Sequence, residues 1–508
     1  MTTTLGPAPG PGPLPRTVRL HDLLRRALGL AAPAFPDAEV TGVAQHVAKV
    51  APGHVFVARV GGLRDGHDFV TEAIERGAAC IVGTRDGMAG LPVPYVRVDD
   101  DRFATSALAD AFHGHPSGAL TVVGVTGTDG KTTTAALLHH LLQGVQAPPQ
   151  ASLLSSALVR VGLAAGELEG HFTTPEATEV QAHLAAARDH GVRVAVLEAS
   201  SHAATLQRVA HVAFDVLVWT NLTPEHLDHH GSFDAYREAK ASLVRRAGAA
   251  VLNRDDPNYP AFAAAAPAAV ITFGLDARAD VRAEAIVDEP GALGFLLVTA
   301  EGRWPARLPM VGHYNVANAL AALAAARQLG VPWSIGVARL ATFGGVPGRM
   351  QVVAHEPVTV VVDFAHTPDA LDKALAAVAP APGGRRLVVV GAAGERDPGK
   401  RAPLGAVATR AADVAVFTEE DHRSEPLAAI LAAMAAGARA AGGVEGTTFH
   451  LVADRRAAIA RALDLARPGD VVLLAGKGHE RTLERGATVL PWDEAAAARE
   501  ALAARGRA

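Results

Sequence analysis

The stretch VVGVTGTDGKTTTAALLHHLL, Val122 to Leu142, restricts the fold more than any other part of the chain. A run rich in β-branched residues enters the turn Gly127-Thr128-Asp129-Gly130-Lys131-Thr132-Thr133. A helical pattern carrying Leu137, Leu138, Leu141 and Leu142 leaves it. A strand that feeds a helix through a glycine-rich turn is the building unit of a parallel sheet covered by helices. Such a turn also presents backbone amides and a helix N-terminus to an anion. Lys131 would pair with phosphate charge, and the Thr132 hydroxyl would ligate Mg²⁺. The strict Walker spacing places Gly five residues before Gly130. Val125 stands there, with glycines at 124 and 127 instead, so this is a variant. The competing reading is an ordinary Gly-rich turn. The order strand, Gly-Lys-Thr, helix favours the phosphate loop.

The same unit repeats along the chain. LTVVGV, VRVAVLE and FDVLVWTN read as strands of one sheet; VTVVVDF, RRLVVVGA, DVAVFT and DVVLLAGKG read as strands of another. The expected class is α/β with three domains, a central P-loop ATPase-type parallel sheet and a C-terminal Rossmann-like parallel sheet. With 508 residues, roughly three domains of ~150 residues are expected. Breaks at HGHPSG and GGVPGR place them at 17–118, 119–346 and 347–508, after a Pro/Gly-rich flexible tail at 1–16. That tail lacks the apolar segment of a signal peptide. The Ala-rich runs are broken by Pro, Arg or Asp before they reach membrane-spanning length. Net charge is −5 and no basic run suggests nucleic acid. The one cysteine, Cys80, lies in an apolar run and reads as a buried thiol. The expectation is a soluble cytoplasmic monomer with no nucleic-acid or membrane partner.

Chemistry-bearing residues gather at the C-terminal ends of these strands: Asp129, Glu198, Asn221, Asp363, Arg396, Glu420 and Lys477. Open parallel sheets bind ligands at that edge. Glu198 beside a phosphate loop suits a metal. In NLTPEHLDHHGSFDAYREAK, His226, His229 and His230 are either a polar loop before a helix capped by Ser232 or part of a metal site. Lys240 shares a helical stripe with Phe233, Tyr236, Leu243 and Val244. It either snorkels to solvent or is a neutral lysine able to take up CO₂ as a carbamate.

Ten segments then occur in one order: TGTDGKTTT, TTPEATEVQ, EASSH, NLTPEHLDHHG, YREAK, GHYNVANALAA, VPGRM, VDFAHTPDAL, GERDPGKRAPLG and AGKGHE. Together they resemble the Mur ligases of peptidoglycan synthesis, from about Thr41 to Glu480, and DFAHTPDAL with GKGHE points to the branch that adds a diamino acid. The resemblance implies that ATP phosphorylates a carboxylate of UDP-N-acetylmuramoyl-L-alanyl-D-glutamate and that an amine displaces the phosphate. It implies two Mg²⁺ ions, one held by Thr132 and Glu198, the other by His226 and carbamylated Lys240. Lys131, His226 and Lys240 would be catalytic. ATP would be held by Gly127, Thr128, Asp129, Gly130, Lys131, Thr132, Thr133, Asn318, Arg349 and Asp363, with His366 close by. The UDP-substrate would meet Thr173, Thr174, Ser200 and Arg208. The free diamino acid would meet Arg396, Glu420, Asp421, Arg423, Gly476 and Glu480, where the arginines suit carboxylates and Glu480 suits an ammonium.

Two departures stand out. Members adding meso-diaminopimelate usually carry Asp-Asn-Pro-Arg in the amino-acid pocket, whereas Glu420 to Arg423 reads EDHR. The added negative charge favours L-lysine or L-ornithine. In place of the usual Asp-Ser-Arg near the uracil stand His46, Val47 and Ala48. A different amide ligase of the superfamily, of folylpolyglutamate-synthase type, and a nucleotide-binding relative without catalysis are the alternatives.

Overall fold

The computed structural model describes residues 12–30, 33–61, 64–88, 90–144, 151–162, 164–166, 172–289 and 291–505. Residues 1–11 of the tail expected at 1–16 lie outside them. The chain divides into two compact units. The first comprises Met1–Glu284, Leu297–Trp304 and Ala317–Arg339; the second comprises Ala285–Leu296, Pro305–Val316 and Leu340–Ala508.

The first unit carries two sheets. The smaller has four parallel strands in the order Gly42–Ala44, His54–Ala58, Cys80–Gly83 and Tyr95–Arg97. Alternation along His54–Ala58 sends Val55 and Val57 to a core with Leu20, Leu24 and Leu108, and Phe56 and Ala58 to a core with Val70 and Ala73. Cys80 is buried there, and burial pushes its thiol up to about 12.

In the larger sheet the phosphate-loop strand Thr121–Thr126 lies between Val194–Glu198 and Val216–Trp219, all parallel. Ala249–Asn253 and Ala269–Gly274 continue the sheet beyond Val216–Trp219. Register sets Glu198 opposite Val125 and Trp219 opposite Thr126, so the residues following these strands emerge at one edge. Gly124, which helps shift the Walker spacing, is a packing glycine. A Cβ there would lie 2.5 Å from Leu217 Cδ1 and 2.8 Å from Phe214 Cε1. On the far side of Ala151–Leu154, two short strands, Val159–Val161 and Ala164–Gly166, pair antiparallel. The sequence reading had only parallel strands here; these additions are too short to show a hydrophobic period.

The second unit holds a six-stranded sheet in the order Gln351–Ala354, Thr359–Asp363, Val471–Ala475, Arg386–Val390, Val414–Phe417 and Phe449–Leu451. The first pair is antiparallel and the rest are parallel. Leu404, Met434 and Phe417 share the core on one face; Ile459, Leu463 and Ala498 cover the other. The fold class is the expected α/β, with a nucleotide-loop sheet and a second doubly covered sheet. No helix among the described residues is long and apolar enough to cross a membrane.

Helices Arg401–Ala411 and Leu427–Ala440 meet through glycines. A Cβ on Gly405 would lie 1.9 Å from the Met434 carbonyl oxygen, and one on Gly437 1.8 Å from that of Ala402. Alanine would gain about 1 kcal/mol in helix propensity but force the helices apart, at about 1–3 kcal/mol or more. We expect Gly437→Ala to lower the urea midpoint. An unchanged or raised midpoint would show that the helices separate freely.

Candidate active site

The loop between Thr126 and Lys131 is held by its own strand neighbours. Thr128 N donates to the Asn221 carbonyl at 3.0 Å, and Asp129 N donates to Asn221 Oδ1 at 2.9 Å. Thr220 Oγ1 donates to the Asp129 carbonyl at 2.6 Å. The Thr128 hydroxyl lies 3.0 Å from the Tyr236 hydroxyl and accepts from Thr223 N at 3.0 Å. Gly130 sits at φ +79°, and a Cβ there would fall 2.2 Å from Asn318 Oδ1. At Gly127 it would fall 1.9 Å from Thr220 Oγ1. Both positions demand glycine. Asn318 and Thr132 are buried beside the loop, as is Thr133, and Asp129 is exposed at its tip.

Two lysines converge on this loop. Lys131 Nζ donates to the carbonyls of Gly127 at 3.1 Å and Thr128 at 2.6 Å. Lys240 Nζ donates to the same Gly127 carbonyl at 2.6 Å. Lys240 projects from helix Phe233–Arg245, which Ser232 caps by accepting from Ala235 N at 3.1 Å. Its side chain is buried, with the nitrogen 4.7 Å from the Tyr236 ring centroid. Burial first, and the charge of Lys131 second, push its pKa well below that of an ordinary lysine. Partial burial also lowers His226, with Lys131 and Lys240 adding to this against Glu225. His202 makes this a four-imidazole group: its ring lies 4.7 Å from His226, 4.2 Å from His229 and 5.7 Å from His230.

Glu198 reaches the loop through an intermediary absent from the sequence reading. Its Oε1 accepts from Ser156 N at 2.9 Å, and Ser156 Oγ lies 3.0 Å from Thr132 Oγ1. Ser156 follows a short strand and carries no motif, which is why the sequence did not mark it. Nearby, Thr174 Oγ1 donates to the Glu198 carbonyl at 2.8 Å and accepts from Ser200 N at 3.0 Å. Arg208 donates to the Thr174 carbonyl at 2.9 Å. Glu176 binds both Arg208 and Arg59 at 2.7 Å; burial would raise its carboxyl, but the two guanidiniums hold it low. Thr173, beside Thr174, is half-buried.

In the second unit, Asp363 accepts from Met350 N at 2.8 Å and Ala365 N at 2.9 Å. Burial pushes its carboxyl up, against the pull of Arg349. The Arg349 guanidinium lies 4.5 Å from the Phe364 ring, and the His366 ring packs 4.7 Å from it. Gly348 lets VPGRM touch AGKGHE: a Cβ there would lie 2.1 Å from His479 N. Along the same edge, Lys477 pairs with Asp421 at 2.8 Å and Glu480 at 2.7 Å. Burial opposes the Lys477 charge, but Glu480 and Asp421 hold its pKa above the ordinary value. Arg423 donates to Glu484 at 2.8 Å and to the Gly394 carbonyl at 2.7 Å. Glu420 is buried beside Gly476, and Arg396 is exposed. Fully buried Arg455 braces these strand ends. It pairs with Glu494 at 2.7 Å and donates to the carbonyls of Glu419 and Ala475 at 3.0 and 2.7 Å.

Among the described residues, no three His, Cys, Asp or Glu side chains are grouped to hold a metal by themselves. The set around the loop is of another kind: a threonine hydroxyl, one carboxylate, one imidazole and one amine of lowered pKa. Magnesium keeps several waters and takes few protein oxygens beside substrate phosphates, so the Thr132 hydroxyl and the Glu198 carboxylate fit it, whereas Lys240 would fit only as its carbamate.

Burial pushes His183 down to about 4, His202 to about 3 and His230 to about 4, from 6.5. Between about 6.5 and 4 the unfolded chain therefore binds more protons than the folded one, and stability falls as pH falls through that window. We expect the urea midpoint to drop between pH 7 and pH 5, with a shallower slope in His183→Gln. Identical slopes would remove His183 from the account.

Residues 125–326 match the Mur ligase middle domain, and residues 348–478 match the Mur ligase, glutamate ligase domain. A UDP-N-acetylmuramyl-tripeptide synthetase of Deinococcus radiodurans is 48% identical over 501 residues, covering 96% of this chain and 100% of that protein. One from Roseiflexus is 43% identical over 505 residues, covering 96% and 99%. A solved UDP-N-acetylmuramoyl-L-alanyl-D-glutamate–2,6-diaminopimelate ligase superposes with a TM-score of 0.63 at 28% identity, covering 95% of this chain and 99% of that one. With the loop, the strand-end residues and these matches together, the chain belongs to the Mur ligase family.

Proposed function

We propose that this chain is an ATP-dependent acid–amino-acid ligase that extends UDP-N-acetylmuramoyl-L-alanyl-D-glutamate with a diamino acid. We propose L-lysine or L-ornithine over meso-diaminopimelate. The observation that carries the reading is the pair of lysines on the Gly127 carbonyl. Lys131 lies against the loop, donating to its Gly127 and Thr128 carbonyls. Lys240 is a buried amine whose proton is weakly held.

A carboxylate is a poor electrophile, so amide formation needs an activated acyl group. The substrate carboxylate oxygen bonds to the γ-phosphorus, the bridging P–O bond breaks and ADP leaves. The amine then attacks the acyl carbon, phosphate departs and the nitrogen loses a proton. The protein contributes positioning and positive charge more than covalent chemistry. The loop amides and Lys131 hold the phosphates. A neutral Lys240 adds CO₂ and releases a proton, giving a carbamate with carboxylate character. Thr132, Glu198, His226 and that carbamate would hold two Mg²⁺ ions, which supply charge neutralisation at the transferring phosphoryl group. His226, kept neutral by its surroundings, can offer a ring nitrogen as ligand. Asn318 would join the loop in holding ATP, and Thr173, Thr174, Ser200 and Arg208 would hold the nucleotide-sugar. The extra negative charge of Glu420-Asp421 favours an amino acid ending in an ammonium.

The test is phosphate release by the purified chain with ATP, Mg²⁺, UDP-N-acetylmuramoyl-L-alanyl-D-glutamate and a diamino acid. We expect release to require all of them. Lys240→Ala should lose about a hundredfold or more in kcat while still binding ATP, by analogy with removal of one transition-state contact. Full activity in that variant would refute the carbamate.

A further inference from the structure

Strand Ala151–Leu154 runs parallel to Val194–Glu198, with Leu154 opposite Leu197. It then turns back on Val159–Val161, with Leu154 opposite Val159, so residues 155–158 form a hairpin loop beside the end of the Glu198 strand. Buried Ser155 locks that loop. Its N and its Oγ both donate to the Leu158 carbonyl, at 3.0 and 2.9 Å, and its Oγ accepts from Leu158 N at 3.1 Å. The locked loop sets the next residue, Ser156, between Glu198 and Thr132 in the first turn of helix Lys131–Leu142.

Ser156 N donates to Glu198 Oε1 at 2.9 Å, and Ser156 Oγ donates to the same oxygen at a longer 3.3 Å. Ser156 Oγ also lies 3.0 Å from Thr132 Oγ1. Glu198 is 1% and Thr132 5% exposed, so protein groups rather than bulk water set the directions of these side chains. The Glu198 backbone is held separately, its carbonyl accepting from Thr174 Oγ1 at 2.8 Å. What Ser156 adds is the aim of the carboxylate.

The bonds have a direction. A carboxylate only accepts, and a hydroxyl has one proton. The Ser156 proton goes to the charged acceptor, where the bond is stronger. Ser156 Oγ is then left to accept the Thr132 proton. A threonine hydroxyl that ligates a cation must turn its lone pairs to the ion and its proton elsewhere, and Ser156 is that elsewhere.

Resting on the ligase reading above, we propose that Ser156 is a positioning residue for magnesium. Its amide and hydroxyl aim the Glu198 carboxylate, and its oxygen takes the Thr132 proton, so both groups are oriented before the ion arrives. Ser156 acts through these two residues and does not itself touch the ion. Outer partners of this kind govern metal affinity.

The experiment measures Mn²⁺ binding to the full chain with ADP, by electron paramagnetic resonance, beside ADP binding in EDTA. Ser156→Ala keeps the amide and removes the hydroxyl. It should weaken Mn²⁺ about tenfold and raise the Mg²⁺ needed for half-maximal phosphate release by a similar factor. ADP affinity in EDTA and kcat at saturating Mg²⁺ should be little changed. Ser156→Thr should recover the Mn²⁺ affinity. Ser156→Cys should bind Cd²⁺ with ADP no more tightly than the unaltered chain does, since only a direct ligand would gain from a soft sulfur. The proposal is overturned by unchanged Mn²⁺ affinity in Ser156→Ala, by no recovery in Ser156→Thr, or by an equal loss of ADP affinity in EDTA, which would mark a merely structural serine. Tighter Cd²⁺ binding by Ser156→Cys overturns it too, by making residue 156 a ligand. No Mn²⁺ binding by the unaltered chain with ADP would instead refute the magnesium reading on which it rests.

Discussion

Two lysine nitrogens donate to the Gly127 carbonyl, and one of them is buried. Two ammonium groups sharing one oxygen repel, and the buried one has lost its hydration as well. The arrangement therefore weakens the hold of Lys240 on its proton. Under the proposed function, this would set a phosphate-binding side chain and an amine able to take up CO₂ within a few ångströms of each other. It depends on a backbone that brings the carbonyl to both side chains, and only glycine fits that backbone. The Thr220 hydroxyl occupies the space a Cβ at Gly127 would need.

Parallel register extends the same logic to residues remote in sequence. Glu198 and Val125 are paired neighbours, as are Trp219 and Thr126, so the loops that follow share an edge. The second sheet repeats the device, with Asp363 opposite Ala475 and the segments after Val390, Phe417 and Ala475 leaving side by side. Glycines at 391 and 394 then let those segments touch backbone to backbone.

Much of this was legible in the sequence because it is periodic or local. Strand ends, the Ser232 cap and the place of Lys240 on an apolar stripe follow from spacing alone. Ser156 was not legible: it acts only because its short strand lies beside Val194–Glu198. Glu484 was not legible either, since its role comes from a hairpin that brings it to Arg423. Glu480 reads as an acceptor for a substrate ammonium, and the structure adds what spacing did not show, an internal partner three residues before it, Lys477. Pairwise competition of this kind is settled by rotamers and burial, which a linear pattern does not contain. The segment His46–Ala48 departs from the family pattern. His46 and Ala48 are exposed.

The Arg455–Glu494 pair has a consequence for how the polypeptide is made. Arg455 is fully enclosed and holds the ends of strands Val414–Phe417 and Val471–Ala475, but its carboxylate partner lies in the helix Glu494–Arg505. A buried guanidinium without its counter-ion is destabilising by about 3–5 kcal/mol. On the ribosome, every strand of this sheet emerges before that helix. The nascent sheet must therefore wait, incompletely set, until that helix has cleared the exit tunnel.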